Sequence, residues 1–515
     1  MHTHPLQPYG AVPSPRQRLW HTREFYGFLH FTVNTFTDRE WGLGNESPDV
    51  FNPTNFDAHQ IVDTAKQGGM TGLILTAKHH DGFCLWPSQY TTHSVKASPW
   101  RNGQGDVVGE LAQACATAGL AFGIYLSPWD RNHPDYGTPA YLTYYRNQLR
   151  ELLSNYGPLF EVWFDGANGG DGYYGGTYER RHIDNTTYYD WETTYALVRQ
   201  LQPDACIFSD AGPDVRWVGN EHGIAGDPCW HTIDTTGLYP GNAAPAYLNC
   251  GAHRGPHWLP AECDVSIRPG WFYHQHEDDK VRTPANLWEL YLASVGRGAN
   301  LLLNLPISPA GQVHPHDRAA LLEFQAMRTR AFTHNLAAHA QFSASSQATP
   351  VAGCHDGAAD SFWMAEGADA APWLHVQWVQ PATINLIDIR EYLPLGQRIH
   401  AWHIEVATPA GWTTVAQGQS IGNRRLVAVP SHHTTAIRIC IDGADAPAAL
   451  CTVAVYYCKG VILWRPGGVA RCATPSFHAT PACIDAKNDE MARRRSRHAM
   501  TGGGYTEGSL YFISR

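Results

Sequence analysis

Carboxylates, imidazoles and indoles follow short apolar runs in the first 300 residues. Residues 161–164 lead directly into Asp165, and residues 72–77 precede the pair His79-His80. Cleavage of a glycosidic bond requires one ionised carboxylate and one protonated carboxylic acid. Imidazole and indole N–H groups can hydrogen-bond sugar hydroxyls, and indole faces can cover the C–H surfaces of a sugar. These residue types therefore indicate carbohydrate chemistry.

A metal site would draw on the same histidines and carboxylates. The adjacent His79 and His80 lack the i, i+4 spacing with which a helix presents two ligands to zinc. The twelve cysteines are scattered and form no Cys-x-x-Cys pair, so zinc-finger spacing is absent. We therefore predict neither a metal nor a cofactor at the site. Buried free thiols are expected, with one or two disulfides in the last third of the chain as the alternative.

Seven apolar runs bounded by turn signals are typical of buried parallel strands. They span residues 26–33, 72–77, 121–126, 160–164, 205–209, 263–267 and 300–305. Amphipathic helices lie between them, for example over residues 55–67, where apolar side chains recur with helical spacing before two glycines. The alternation predicts a (β/α) TIM-like barrel, with a doubly wound sheet as the alternative. No Gly-rich nucleotide motif follows a strand, which disfavours the doubly wound sheet.

The pattern changes after about residue 335. Short strands separated by Gly, Pro or polar turns predict an antiparallel β-sandwich. They span residues 373–378, 385–391, 400–407, 411–416, 424–429 and 436–441. We therefore predict a catalytic barrel over residues 1–335, a sandwich that supports it over 336–460, and a weakly packed or disordered tail over 461–515.

Charge and hydropathy argue against two classes of partner. The formal net charge is −10, and no Lys/Arg-rich stripe runs through the first 480 residues, which argues against nucleic acid. No stretch approaches the roughly 18 apolar residues that a membrane span needs. Residues 1–17 contain no apolar signal-peptide segment. Neither the compartment nor the oligomeric state follows from the sequence.

Five motifs in order resemble the α-L-fucosidases of glycoside hydrolase family 29. They are Phe28-Leu29-His30-Phe31, Glu40-Trp41-Gly42, Ala77-Lys78-His79-His80-Asp81-Gly82-Phe83, Trp163-Phe164-Asp165-Gly166 and Asn300-Leu301-Leu302-Leu303-Asn304. Residues 126–132 and 264–271 look like the subgroup selective for α-1,3/1,4-linked fucose. Residues 340–460 resemble, more weakly, a galactose-binding-like sandwich.

The resemblance implies a retaining exo-α-L-fucosidase that hydrolyses terminal α-1,3/1,4-linked L-fucose by double displacement, with a fucosylated glycan as its substrate. Asp165 matches the nucleophile motif, and Gly166 gives the backbone room after a buried strand. Glu221 lies where the acid/base of the subgroup is expected, with Glu262 as the alternative. Family members often act outside the cytoplasm, so the resemblance suggests a periplasmic or secreted protein.

The remaining polar and aromatic residues near the predicted strand ends are candidates for sugar binding. They are His30, Glu40, Trp41, His79, His80, Trp86, Tyr125, Arg268 and Trp271. For Arg268, an ion pair with Asp264 or Asp278 is the alternative role. A catalytically inactive glycan-binding protein and a barrel glycosidase with another sugar specificity remain the alternative functions.

Overall fold

A computed structural model describes residues 7–358 and 360–460. Eight parallel strands close into a barrel in chain order, each paired with its two neighbours. They are β1 Phe25–Leu29, β2 Gly72–Lys78, β3 Ala121–Leu126, β4 Glu161–Trp163, β5 Cys206–Ser209, β6 Val215–Trp217, β7 Ala261–Ser266 and β8 Asn300–Asn304. The prediction of a TIM-like barrel is confirmed.

Nine α-helices belong to the described part of the chain. They are α1 Pro15–His21, α2 Val33–Thr37, α3 Ala58–Gln67, α4 Val107–Ala118, α5 Pro139–Asn155, α6 Trp191–Leu201, α7 Pro245–Cys250, α8 Pro284–Ala293 and α9 Pro315–Phe332. Asp57 and Asp106 begin α3 and α4 by accepting the third backbone N–H of each helix, since such a cap satisfies an otherwise unpaired donor. In the part of the chain that the structure describes, no helix is long and apolar enough to cross a bilayer.

The barrel strand that the sequence analysis missed is β6. It has only three residues, and its centre is Arg216, which a hydropathy pattern assigns to the surface. The side chain is instead fully buried, and its guanidinium donates to the backbone oxygens of Leu248, Trp230 and Leu259. A buried charge is tolerated there because its donors are satisfied.

Seven antiparallel strands form the second sheet, in the order β10-β15-β11-β14-β12-β13, with β9 also paired to β11. They are β9 Gln341–Ala344, β10 Trp363–Met364, β11 Trp373–Glu391, β12 Ile399–Thr408, β13 Gly411–Gly418, β14 Arg425–Ala444 and β15 Ala449–Tyr456. The antiparallel architecture is confirmed. The strands predicted over 373–378 and 385–391 form the single strand β11, and those over 424–429 and 436–441 form β14. In each case a proline indicated a turn in the sequence, whereas the strand continues past it, with register shifts in the pairing of β11 with β14. The predicted tail lies outside the described residues.

The cysteines of the described residues form no disulfide. All ten cysteines within the described residues are free thiols, and seven of them are buried. Cys472 and Cys483 lie outside the described part of the chain.

An ionic cluster joins the barrel to the second sheet. Glu24, just before β1, accepts from Arg390 at 2.8 Å and from Arg424 at 2.6 Å. Arg424 also pairs with Asp388 at 2.8 Å and donates to the Tyr291 hydroxyl. Burial alone would raise the pKa of Glu24, but the two guanidinium groups hold it below its ordinary value. The cluster therefore stabilises contact between the two domains.

We expect Arg424→Ala to lower the free energy of unfolding by about 3 kcal/mol. The substitution removes a positive charge that pairs with the buried carboxylates of Glu24 and Asp388. Urea denaturation measures the loss. The matched control is Arg330→Ala, whose pair with Glu323 is exposed on both sides and should cost less than about 1 kcal/mol. Equal losses in the two variants would contradict a stabilising role for the cluster.

Candidate active site

A cavity of about 300 Å³ opens at the carboxyl ends of the barrel strands, the face on which TIM barrels carry their active sites. Its walls combine carboxyl, imidazole and aromatic groups. The lining residues are Phe28, His30, Trp41, His79, His80, Tyr125, Trp163, Asp165, Gly166, Ala167, Asp210, Trp217, Glu221, Asp264 and Trp271. Both predicted catalytic carboxylates are among them.

Asp165 lies two residues after the end of β4, and its side chain is half-buried. Its Oδ1 accepts the backbone N–H of Ala167 at 2.6 Å, and its Oδ2 accepts the Tyr125 hydroxyl at 3.1 Å. The Nε2 atom of His80 lies 3.9 Å from Oδ2. Donors on both oxygens fix the orientation of this carboxyl at the cavity wall.

Hydrogen bonds set the proton positions on His30. Its Nδ1 lies 2.8 Å from Asn304 Oδ1. The Asn304 amide nitrogen donates to the carbonyl of Trp271, so the amide oxygen must face His30 and accept from Nδ1–H. Burial lowers the pKa of His30 to about 4, and the neutral ring therefore carries its free lone pair on Nε2.

The same reasoning applies to His80. The Ser127 hydroxyl donates to the Trp129 carbonyl at 2.7 Å, so it accepts from His80 Nδ1–H at 2.8 Å. Burial lowers the pKa of His80 to about 4. Burial also holds the pKa of His79 well below its ordinary value. His30 and His80 thus present hydrogen-bond acceptors, rather than positive charges, on Nε2.

Glu221 lies on the loop after β6, and it is exposed where it lines the cavity. The indole N–H of Trp271 donates to its Oε2 at 3.3 Å. Partial desolvation raises the pKa of Glu221, and the negative charge of Asp165 acts in the same direction. A carboxyl with a raised pKa retains its proton into the pH range where a general acid works.

Glu262, the alternative acid/base, lies beneath the cavity. It is fully buried in β7, where Trp163 Nε1 donates to its Oε1 at 2.9 Å and the Tyr26 hydroxyl bonds its Oε2. Trp163 itself lines the cavity and stacks on Phe208. Glu262 is therefore separated from a ligand by an indole, and the geometry favours Glu221.

Comparison with known proteins agrees with this geometry. The family model described as alpha-L-fucosidase matches residues 9–327. The chain belongs to the α-L-fucosidase family. It is 44% identical over 434 residues to alpha-L-fucosidase 1 of Arabidopsis thaliana, covering 82% of this chain and 83% of the plant protein.

Two solved structures extend the similarity beyond the barrel. A glycoside hydrolase 29 family member from an unknown rumen bacterium superposes with a TM-score of 0.80 at 42% identity, covering 88% of this chain and 78% of the other. A family 29 fucosidase from Ruminococcus gnavus in complex with fucose gives a TM-score of 0.81 at 29% identity, covering 88% and 96%. The chain is thus a glycoside hydrolase, an α-L-fucosidase of family 29.

Glu40, which the motif placed in the fucosidase pocket, is not among the residues that line the cavity. Its carboxylate accepts the backbone N–H groups of Trp271 and Phe272 at 2.8 and 3.0 Å. His274 bridges it to Asp38, and the bonds to these carboxylates raise the pKa of His274 to about 9. Glu40 therefore holds the backbone that presents the Trp271 indole to the cavity.

Trp86 and Arg268, two further candidates for sugar binding, do not line the cavity either. The buried Trp86 donates its indole N–H to Glu151 at 2.8 Å. Arg268 pairs with Asp317 at 2.8 Å and with Asp278 at 2.9 Å. Trp86 is thus held by a residue of α5, and Arg268 by residues of α9 and of the loop before α8.

Seven lining residues were not among the predicted site residues: Phe28, Trp163, Gly166, Ala167, Asp210, Trp217 and Asp264. Asp210 immediately follows β5, so its position at a strand end is a signal that could have identified it. Its Oδ2 accepts the Gly241 N–H at 2.8 Å. A Cβ on residue 166 would overlap its carboxyl, which explains the glycine after Asp165.

Burial raises the pKa of Asp210 to about 7, whereas an unfolded Asp titrates near 3.9. Between these values the folded state binds more protons than the unfolded state, so this group lowers stability as pH rises from about 4 to 7. We expect Asp210→Asn to remove this decrease in the free energy of unfolding, because the amide does not titrate. Urea denaturation at pH 5 and pH 8 should show the variant gaining stability relative to the original protein at the higher pH. An identical pH dependence in both proteins would contradict this assignment.

Proposed function

We propose that this chain is a retaining exo-α-L-fucosidase that removes terminal α-1,3- or α-1,4-linked L-fucose from oligosaccharides or glycoconjugates. The observation that carries the proposal is the presence of Asp165 and Glu221 in one cavity with different environments. Two donors hold the Asp165 carboxyl, while desolvation raises the pKa of Glu221. Retaining glycosidases use such a pair as nucleophile and acid/base.

In the first step an Asp165 oxygen attacks the anomeric carbon while Glu221 gives its proton to the glycosidic oxygen. The bond to the aglycone breaks, and the aglycone leaves as an alcohol. In the second step the ionised Glu221 takes a proton from water as the water oxygen attacks the anomeric carbon. The ester bond to Asp165 breaks, fucose leaves with its original α configuration, and both carboxyl groups return to their starting states.

The cavity wall suits a deoxy sugar. Phe28, Tyr125 and Trp163 supply aromatic surface for the methyl group of fucose, while Nε2 of His30 and His80 can accept hydrogen bonds from its hydroxyls. A volume of about 300 Å³ lies at the lower end of ligand cavities, which span about 300–1,000 Å³. That size supports binding of one terminal sugar rather than an internal stretch of chain.

Support for the linkage comes from two segments that resemble the α-1,3/1,4-selective subgroup. Asp264 and Trp271, from residues 264–271, line the cavity. Trp129, from residues 126–132, packs edge-on against the lining residue Trp41, with ring centroids 5.6 Å apart. Trp41 is 53% exposed, so its indole is available to the sugar that precedes fucose.

The test uses matched fucosylated oligosaccharides with α-1,2, α-1,3, α-1,4 and α-1,6 linkages, together with 4-nitrophenyl fucoside and galactosides. We expect free fucose from the α-1,3- and α-1,4-linked Lewis-type trisaccharides, and NMR of the first product should show the α anomer. Absence of any product would indicate an inactive binding protein. Release from galactosides alone would indicate another specificity, and release of the β anomer would contradict retention.

A further inference from the structure

The outer face of the second sheet carries a cluster of metal-ligating side chains far in sequence from the catalytic residues. His403 and Glu405 project from β12, two residues apart and therefore on one face. Cys440 lies on β14 directly opposite His403 in the strand register. The imidazole nitrogen, a carboxylate oxygen and the thiol sulfur lie within 4.8 Å of one another, and all three residues are half-buried.

A carboxylate orients the imidazole in this cluster. Asp442, two residues after Cys440 on the same strand, lies 2.8 and 2.9 Å from His403 Nδ1 through its two oxygens. Carboxylate oxygens only accept, so Nδ1 donates and the free lone pair stays on Nε2. That nitrogen lies 3.8 Å from Glu405 Oε1. An imidazole fixed by a carboxylate on its far side is the usual arrangement of a histidine that binds zinc.

The other oxygen of Glu405 has separate partners. Its Oε2 lies 3.5 Å from Arg438 and accepts the Cys440 thiol at 3.8 Å. Arg438 is itself held over the ring of Trp412, 4.2 Å from the centroid. Because Arg438 and the thiol both contact Oε2, the other oxygen, Oε1, can face Nε2 of His403. Arg438 therefore orients the carboxylate and does not lie between the ligand atoms.

We propose that His403, Glu405 and Cys440 bind a zinc-class divalent cation through Nε2, Oε1 and the thiolate sulfur. Nitrogen, oxygen and thiolate ligands together favour zinc over magnesium or calcium. With bonds of about 2.0–2.3 Å, tetrahedral ligands lie roughly 3.3–3.8 Å apart, so the cluster must contract by about 1 Å. The Cys440 thiol loses its proton to solvent as the sulfur–metal bond forms, and the fourth position is left for water.

Cobalt is the probe that distinguishes this site from others, because a thiolate bound to Co²⁺ gives a charge-transfer absorption that nitrogen and oxygen ligands do not. Asp38, His274 and His276 form another three-residue group within the described residues, and it contains no sulfur. Reduced full-length protein titrated with Co²⁺ should develop this absorption at one equivalent, and added Zn²⁺ should abolish it.

Variants assign the absorption to the cluster. We expect Cys440→Ser to abolish the charge-transfer band and His403→Gln to weaken cobalt affinity at least tenfold, while both retain fucoside hydrolysis as evidence of folding. The matched controls are Cys451→Ser, a half-buried thiol on β15, and His433→Gln, an exposed imidazole on β14; both should leave the band unchanged. A band that persists in Cys440→Ser, or no band in the original protein at saturating cobalt, would overturn the proposal.

Discussion

Asp165→Asn is expected to lose turnover by a factor on the order of 10⁴ or more, as other covalent enzymes do when their nucleophile is removed. The amide has the same shape as the carboxyl, and its oxygen can still accept the Ala167 N–H, so the fold should persist. The amide is too weak a nucleophile to form the fucosyl-enzyme. The measurement is kcat on an α-1,3-fucosylated trisaccharide, with circular dichroism as a check of folding.

The matched control for this variant is Asp171→Asn, which neutralises an exposed carboxylate six residues further along the chain. It removes the same charge from the same loop and should leave kcat within about twofold, as expected for a surface change. Wild-type turnover by a pure preparation of Asp165→Asn would remove Asp165 from the nucleophile role, and an equal loss in the control would assign the effect to loop charge.

Glu221→Ala is expected to hydrolyse fucosides slowly and to be rescued by azide. A substrate with a good leaving group, such as the 4-nitrophenyl fucoside, needs little help from a general acid, so the fucosyl-enzyme still forms. Its breakdown is then slow because no base activates water. Azide needs no base, so we expect faster release of 4-nitrophenol, on the order of tenfold or more, and the formation of a fucosyl azide.

The configuration of that azide decides the mechanism. Attack by Asp165 converts the α-linked substrate into a β-linked ester, and attack by azide inverts the centre again, so double displacement gives α-fucosyl azide. A β-azide would indicate direct displacement and remove Glu221 from the acid/base role. The matched variant is Glu262→Gln, in which the buried carboxyl is replaced; rescue confined to that variant would transfer the role to Glu262.

The barrel could be predicted because most of its strands are continuous apolar runs that end in a turn. The strand β6 could not be predicted, because its central residue is the charged Arg216. Only the tertiary structure supplies the three backbone carbonyls that accept hydrogen bonds from its guanidinium. The bulged strand β11 was predicted as two strands for a related reason. A proline looks like a turn in the sequence, whereas the strand continues past Pro381 and its pairing with β14 resumes at Ala382 after a register shift.

The cavity carboxyl groups of Asp165 and Glu221 and the three cavity histidines could be located by reading the residues after each strand. Sequence does not specify the direction in which a loop side chain points, so it could not separate Trp271, which lines the cavity, from Glu40, which holds the Trp271 backbone. Arg268 illustrates the same limit. Its position after a predicted strand made it a candidate for sugar binding, but its guanidinium pairs with Asp317 and Asp278.

The ionic cluster between the domains also limits which chimaeras of family 29 fucosidases can fold. Glu24 immediately precedes β1, whose far end leads to His30 in the cavity. Its counter-charges are Arg390, on β11, and Arg424, which directly precedes β14. A chimaera that exchanges the C-terminal half between relatives would have to carry matching charges on both sides of the junction. The second sheet is therefore not an interchangeable module, since the strand that leads to a pocket histidine directly follows a residue whose charge is neutralised from that sheet.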